Sequence, residues 1–266
     1  MIFDFHTHCF PDALAPKALG KLREKAGYPP STDGTVSGSI QKLKEAGIDM
    51  AVVCSIATNA HQLPKVNGFA IDINDLNNNL IALGSAHPES EELEDELERL
   101  IDHDIKGIKI HPEYMPYYID DQIWDKVFAL CEEMGIFVVT HAGFDFISPD
   151  RIAASPERIA RVLDRHPSLT MVAAHLGANQ FWKDVRHILC GRDNLYFDTA
   201  ILHRYKADPI LTKEIILAHG TDKVLFGSDM PWSEPENELG FIRSLGFDPE
   251  DEKKILGDNA QKLLFS

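Results

Sequence analysis

The sequence predicts a closed barrel of eight parallel strands wrapped in helices, the (β/α)8 or TIM barrel, and three observations predict it. Short runs rich in Val, Ile and Phe alternate with amphipathic stretches along 266 residues. These runs number eight, at Ile2–His8, Ile48–Ser55, Leu80–His87, Gly107–His111, Ile136–His141, Leu169–His175, Leu195–Asp198 and Val224–Asp229. Eight strands with helices between them fill the roughly 250 residues such a barrel needs. An open doubly wound sheet is the rival, but it calls for a Gly-rich phosphate-binding turn after its first strand. Here the first run leads into His6-Thr7-His8-Cys9-Phe10-Pro11 instead.

Each element has a local reason. The runs are too short for helices and are β-branched or aromatic, as strands prefer. Leu93, Leu97, Leu100 and Ile101 fall on one helical face; Ile123, Val127, Leu130 and Met134 do so in the next helix, with Gly135 as a stop. Ser155-Pro156 and Asp208-Pro209 place a capping side chain before a proline at the first helical position, where a missing N–H costs nothing. Gly220 closes the second of these helices. Three longer connections stand out: Pro29–Gly38; Pro112–Ile119, with Tyr114, Tyr117 and Tyr118; and Gly143–Ala154, with Phe144, Phe146 and Arg151. The last two directly follow strand ends, where barrels build their sites. No linker, low-complexity segment or long repeat interrupts the alternation, so one domain spanning residues 1–266 is expected.

Composition narrows the function. Lys and Arg total 26 against 42 Asp and Glu, a formal charge of −16. Such a surface repels nucleic acid and acidic lipid. No apolar run reaches the ~20 residues of a membrane span, and no basic-then-apolar leader opens the chain, so a cytoplasmic protein is expected. The four cysteines, Cys9, Cys54, Cys131 and Cys190, are too scattered for a disulfide framework and read as reduced, mostly buried thiols. The nine acids between Glu89 and Asp104 read as a solvated helix face.

The histidines carry the functional signal. His6 and His8 alternate along one strand and share a face, so both imidazoles can grip one divalent ion. A histidine pair alone is a weak signal. His87, His111, His141 and His175, however, each end a strand, and Asp229 ends the last. In a parallel barrel these ends meet at one mouth. Burying so many titratable groups together is costly without a cation to pair them.

At this point the chain resembles the amidohydrolase superfamily, in particular the branch of metal-dependent hydrolases and non-oxidative decarboxylases related to aminocarboxymuconate semialdehyde decarboxylase. The segments that carry the resemblance are FDFHTH, GIKIHPEY, VVTHAG, VAAHLG, LYFDTA, LFGSDMPW and the closing ILGDNAQKLL, in that order over nearly the whole chain. The resemblance implies His6, His8, His141 and Asp229 as metal ligands, with Asp229 also the proton acceptor. His175 would face substrate or water. One ion is implied. Imidazole and carboxylate suit zinc, and manganese, iron and cobalt fit the same donors.

Other residues keep two readings each. Lys109 shares a face with His111, and both are assigned to substrate binding. Lys109 would meet an anionic substrate group or bridge two metals as a carbamate, unless it pairs with Asp4 near the barrel axis. Tyr114 and Trp232 are assigned to an apolar pocket wall, with ordinary packing the alternative for Trp232. Asp198 either fixes the tautomer of a metal ligand or caps a helix, and His203 has a weaker claim. Arg151 and Arg204 could grip a carboxylate or lie on the surface.

The expected function is therefore hydrolysis of a small amide, ester or lactone by metal-activated water. The alternative is metal-dependent loss of carbon dioxide from an unsaturated or aromatic acid, on the same ligand set. A third reading, a ligand-binding barrel with vestigial histidines, has against it that no metal position is missing. A small molecule is the expected partner. Relatives of this kind often pair, so a homodimer is one assembly the resemblance allows, and no residue pattern marks a contact surface.

Overall fold

The computed structural model describes residues 1–76 and 79–265. Eight strands form one ring: β1 (Phe3–Thr7), β2 (Met50–Cys54), β3 (Leu80–Ser85), β4 (Gly107–Ile110), β5 (Phe137–Thr140), β6 (Met171–Ala173), β7 (Leu195–Asp198) and β8 (Val224–Leu225). Each pairs in parallel with the next. A parallel bridge between Thr7 and Met230 closes the circle, with Phe5 donating to the Phe226 carbonyl and His8 to that of Met230. The fold is the expected TIM barrel.

The helices are α1 (Ala15–Ala26), α2 (Val36–Glu45), α3 (Leu63–Asp75), α4 (Leu93–Asp102), α5 (Asp125–Met134), α6 (Pro156–Arg165), α7 (Trp182–Ile188), α8 (Pro209–His219), α9 (Pro235–Ser244), α10 (Pro249–Lys253) and α11 (Asn259–Phe265). Asp208 caps α8 as expected, accepting from the amides of Ile210 and Leu211. Ser155 precedes α6 but makes no side-chain cap; its hydroxyl donates to Glu157 instead. In α4, Leu93, Leu97 and Leu100 are buried, but Ile101 is 39% exposed, because it falls at the edge of that apolar stripe. Ile123 precedes α5, in a 3-10 turn, while Val127 and Leu130 face the core. One acid departs from the solvated face: Glu96 is buried, accepting from Asn67 and Arg99. No helix among the described residues is long and apolar enough to cross a membrane. All four cysteines are free, and three are buried.

Two apolar layers hold the ring. One lies between strands and helices, with Val53, Ile108, Val138 and Phe197 packing outward. The other fills the barrel itself, where Phe3, Phe5, Leu83, Phe137 and Val172 meet, and α11 adds Ala260 and Leu264. Phe3 and Phe5 point into this filling, so strict alternation would turn His6 and His8 away from it. A one-residue register shift in β1 between Asp4 and Thr7 resolves the conflict. Such a bulge re-aims the side chains that follow it.

The strands are shorter than expected; only Leu195–Asp198 has its expected extent. His8, His111, His141, His175 and Asp229 all lie just beyond the ladders. At His175 and Asp229 the backbone turns left-handed, with φ of 61° and 65°. The ladder ends where these side chains must be swung over the mouth.

His219, in the last turn of α8, illustrates how the frame depends on pH. Its ring lies 3.9 Å from that of Phe197; Nε2–H donates to the Leu195 carbonyl and Nδ1 accepts from the Gly191 amide. Burial lowers its pKa to about 4. The neutral form is thus the native one. Its contribution is present above the ordinary value near 6.5 and is lost as pH falls through about 4, a loss of about 3 kcal/mol. Urea midpoints measured from pH 7 to 4 should show a smaller decline for His219→Gln than for the parent.

Candidate metal centre

Backbone pairing at the ring's closure assembles the first donor group. The Asp229 amide donates to the His6 carbonyl at 2.8 Å and the His8 amide to the Met230 carbonyl at 2.6 Å, which seats Asp229 between the two histidines. His6 Nε2 and His8 Nε2 then lie 3.5 and 3.1 Å from Asp229 Oδ1.

Hydrogen bonding on the far side of each ring fixes which nitrogen is bare. Asp198 Oδ2 is 2.7 Å from His6 Nδ1, and the Cys54 carbonyl is 2.9 Å from His8 Nδ1. Both partners can only accept, so each Nδ1 carries a proton, and in the neutral ring each Nε2 turns a lone pair toward Asp229. Asp198 is itself locked, its Oδ1 accepting from the amides of His175 and Ala200. It therefore has the tautomer-fixing geometry.

The electrostatics follow from burial. Removal from water lowers His6 to about 4, helped by the Lys109 charge and opposed by Asp198. Burial alone would raise Asp229, but protons on the surrounding rings oppose it: with them in place, the His8 hydrogen bond and the charges of His6 and His175 bring the carboxyl to about 2. Asp198 is likewise held below the usual carboxylate range, mainly by His6. The site thus sets an ionised carboxylate against the Nε2 atoms of two imidazoles, one of which also lies beside the Lys109 ammonium. A tetrahedral ion with bonds of about 2.1 Å separates its donors by about 3.4 Å, so the 3.1 and 3.5 Å spacings fit one.

Lys109 is buried, with Nζ 3.2 Å from His6 Nε2. The alternative pairing with Asp4 does not form: Asp4 Oδ1 accepts from the amides of Ser228 and His6, and burial raises its carboxyl to about 7. A bent β1 aims Asp4 at the Ser228 backbone, just past β8, and leaves the ammonium beside His6.

A second group stands beside the first. His141 Nε2 and His111 Nε2 lie 3.7 and 3.4 Å from Asp145 Oδ2, with the two rings stacked at 4.2 Å. His175 links the groups: its ring is 5.2 Å from His6, and its Nε2 is 3.1 Å from His141 Nδ1. The structure thus gathers His6, His8 and Asp229 into one cluster and places His141 in its neighbour. Asp145 escaped the sequence reading. It sits in an irregular loop without periodicity, and its one available signal is its position four residues after His141.

Above both groups opens a cavity of about 720 Å³. Tyr114 and Trp232 line it, as expected, with Phe10, Phe144, Phe146 and Tyr205. Tyr117 and Tyr118 do not; Tyr117 donates to Glu89, and Tyr118 lies under Arg158. His87 also stays outside the cavity, and its Nδ1 accepts from the Glu89 amide in a turn. Arg151 clamps the loop after β4 through the carbonyls of Pro112 and Met115, and Arg204 stacks on Tyr28. His203 is exposed near Phe241.

An eight-stranded parallel barrel with histidines and an aspartate at its C-terminal mouth defines the class of metal-dependent TIM-barrel enzymes. The model of the Amidohydrolase family (Amidohydro_2) matches residues 4–265, and the chain belongs to that family. No curated protein matches it. Among solved structures, an uncharacterized TIM-barrel protein from Bordetella bronchiseptica is similar at 22% identity and TM-score 0.79, over 99% of this chain and 98% of that one. The 2,6-dihydroxybenzoate decarboxylase of Rhizobium has 15% identity and TM-score 0.70 over 99% and 98% of the two chains. The 5-carboxyvanillate decarboxylase LigW2 of Novosphingobium aromaticivorans, solved with bound manganese, has 16% identity and TM-score 0.71 over 99% and 97%.

Proposed function

We propose that this chain is a metal-dependent hydrolase of a small anionic ester, lactone or amide, with the ion held by His6, His8 and Asp229. The observation that carries the reading is Asp229 Oδ1 wedged 3.1 and 3.5 Å from the Nε2 atoms of His8 and His6, two imidazole donors and a carboxylate at the spacing that one divalent ion requires. A divalent ion held by these residues would supply Lewis acidity and ease removal of a proton from the attacking water. Zinc is the ion proposed on donor type, with manganese, iron and cobalt suited to the same donors; manganese is the ion bound in the similar LigW2 structure.

Asp229 is ionised at neutral pH and so takes the proton of the attacking water, returning it to the leaving group. Lys109 brings three N–H donors to a buried position and uses one toward His6; its charge stabilises the oxyanion that develops on the substrate. His175 spends Nδ1 on the Ala200 carbonyl and Nε2 on His141, so it positions His141 and leaves water to Asp229. Substrate class follows from the cavity. Its walls are aromatic and its outer lining carries Lys17, Lys25 and Lys65, on a chain with net charge −16. An apolar ring bearing a carboxylate fits that combination.

The same cavity favours a second reading, loss of carbon dioxide from an aromatic acid, the reaction named for two of the similar structures. The two readings separate in water enriched in ¹⁸O. Zinc- or manganese-loaded protein is given aryl esters, lactones, amides and hydroxybenzoates. Heavy oxygen in the non-volatile product supports hydrolysis, whereas carbon dioxide released with none incorporated rejects it. For the ion, replacing His6 and His8 together by Ala should release the metal of this group; retention of the parent's full metal content by elemental analysis would refute the assignment.

A further inference from the structure

We propose that Asn179 sets substrate specificity: its Oδ1 takes a hydrogen bond from an N–H or O–H group that the substrate carries. This rests on the cavity being the substrate pocket of the proposed function, and it names a group the substrate must bear. Asn179 follows β6, is 2% exposed and borders the cavity.

The residue is held from three sides. Its backbone amide donates to the Ala142 carbonyl at 2.8 Å, and its carbonyl accepts from the Phe144 amide at 3.0 Å. These bonds tie the loop after β6 to the loop after β5, across the bridge between Gly143 and Asn179. The side chain adds a third tie, Nδ2 donating to the Phe144 carbonyl at 2.9 Å. A backbone carbonyl can only accept, so the carboxamide cannot be turned over, and the free atom is the oxygen. Tyr205 agrees with that assignment. Burial raises its hydroxyl, and the Asn179 carboxamide opposes the rise, as an N–H donor does.

Asn179 Oδ1 is buried and has no hydrogen-bond partner among the described residues. Ser55 Oγ, His111 Nδ1 and His141 Nε2 also border the cavity unpaired. A hydroxyl rotates, and a ring nitrogen can carry a proton or shed it, so these three suit a donor or an acceptor alike. The amide oxygen has one role: it accepts. Backbone donors on the facing loop are spent, since the amides of Gly143, Phe144 and Ile147 go to Ala154, Asn179 and Asp145. An acceptor kept dry at the wall of a binding cavity favours ligands that bring a donor and rejects those that do not. Of the proposed substrate classes, a primary or secondary amide or a lactam carries an N–H in its own reacting group. An ester or lactone must carry its donor elsewhere on the ring.

The test uses ring acids that differ in this donor alone: 3- and 4-carbamoylbenzoate against 3- and 4-acetylbenzoate, in which an amide NH2 is exchanged for a methyl group of similar size. Dissociation constants are measured by calorimetry on the zinc-loaded full-length chain. At least one carbamoyl isomer should bind the parent about tenfold more tightly than its acetyl partner, as one neutral hydrogen bond of ordinary strength gives. Asn179→Leu keeps the size and lacks the acceptor, and should bring that ratio close to one. Asn179→Asp keeps an acceptor and should retain the preference for the carbamoyl member, although its charge weakens both. Loosening of the loop would weaken both members of a pair and leave their ratio, so the ratio separates recognition from structure. Circular dichroism checks folding, and Asn179→Ala replaces the Leu variant if that one does not fold. A ratio near one in the parent for both isomers, or a preference that survives loss of the acceptor, would overturn this proposal and leave the hydrolytic reading to the heavy-oxygen experiment. Failure of every ring acid to bind the parent would overturn the proposed substrate class, and this proposal with it.

Discussion

Asp229→Asn should lower turnover by about a thousandfold, within the range that a positioned general base contributes. The fold should survive it. The Asp229 backbone is left-handed, at φ 65°, and Asn tolerates that region as well as Asp does. Its amide bond to the His6 carbonyl and its carbonyl bond to the Trp232 amide involve no side-chain atom. What is lost is the acceptor. An amide near His8 Nε2 can donate to that lone pair, and it then competes with the ion for the same nitrogen. The variant should therefore bind metal more weakly as well as react slowly. Steady-state rates at saturating metal separate the two effects. Near-parental kcat under those conditions would remove Asp229 from the proton transfer.

Gly143→Ala should be strongly destabilising, costing about 3 kcal/mol or more. Gly143 has φ of 82°, and a Cβ there would lie 2.3 Å from the Asn179 amide nitrogen. The neighbours are backbone, so they cannot rotate aside. The two segments are tied by bonds from Asn179 to Ala142 and from Phe144 to Asn179, which extend β5 past its ladder. Separating them displaces His141 on one side and Asp145 on the other. A urea midpoint within experimental error of the parent would show that the contact is softer than these distances imply.

The barrel was legible because its signals are local and repeat. Strand runs, capped helix starts and histidines at strand ends each depend on a few adjacent residues. The strand ends were overdrawn for the same reason: a run of apolar residues leading to His175 reads as one strand, although pairing stops at Ala173 and the backbone reverses hand. The role of β1 was visible in outline, but alternation could not reveal the bulge that turns the neighbours Phe5 and His6 both toward the barrel interior. Asp198 and Lys109 were found as candidates, and their partners were decided by which side of the ring each strand faces. Asp145 had no pattern to betray it. Only loop geometry brings a carboxylate four residues beyond His141 back over that ring. Glu96 shows the opposite error, an acid hidden within a run that otherwise meets solvent.

The left-handed residues at the mouth carry an evolutionary consequence. L-amino acids with a full side chain occupy that region at a penalty of about 1 kcal/mol or more, and both His175 and Asp229 do so. Glycine would relieve the penalty at either position while discarding the imidazole or the carboxylate. Laboratory selection for heat tolerance alone would thus be drawn toward inert descendants, so any breeding programme for a hardier catalyst must screen turnover in the same round.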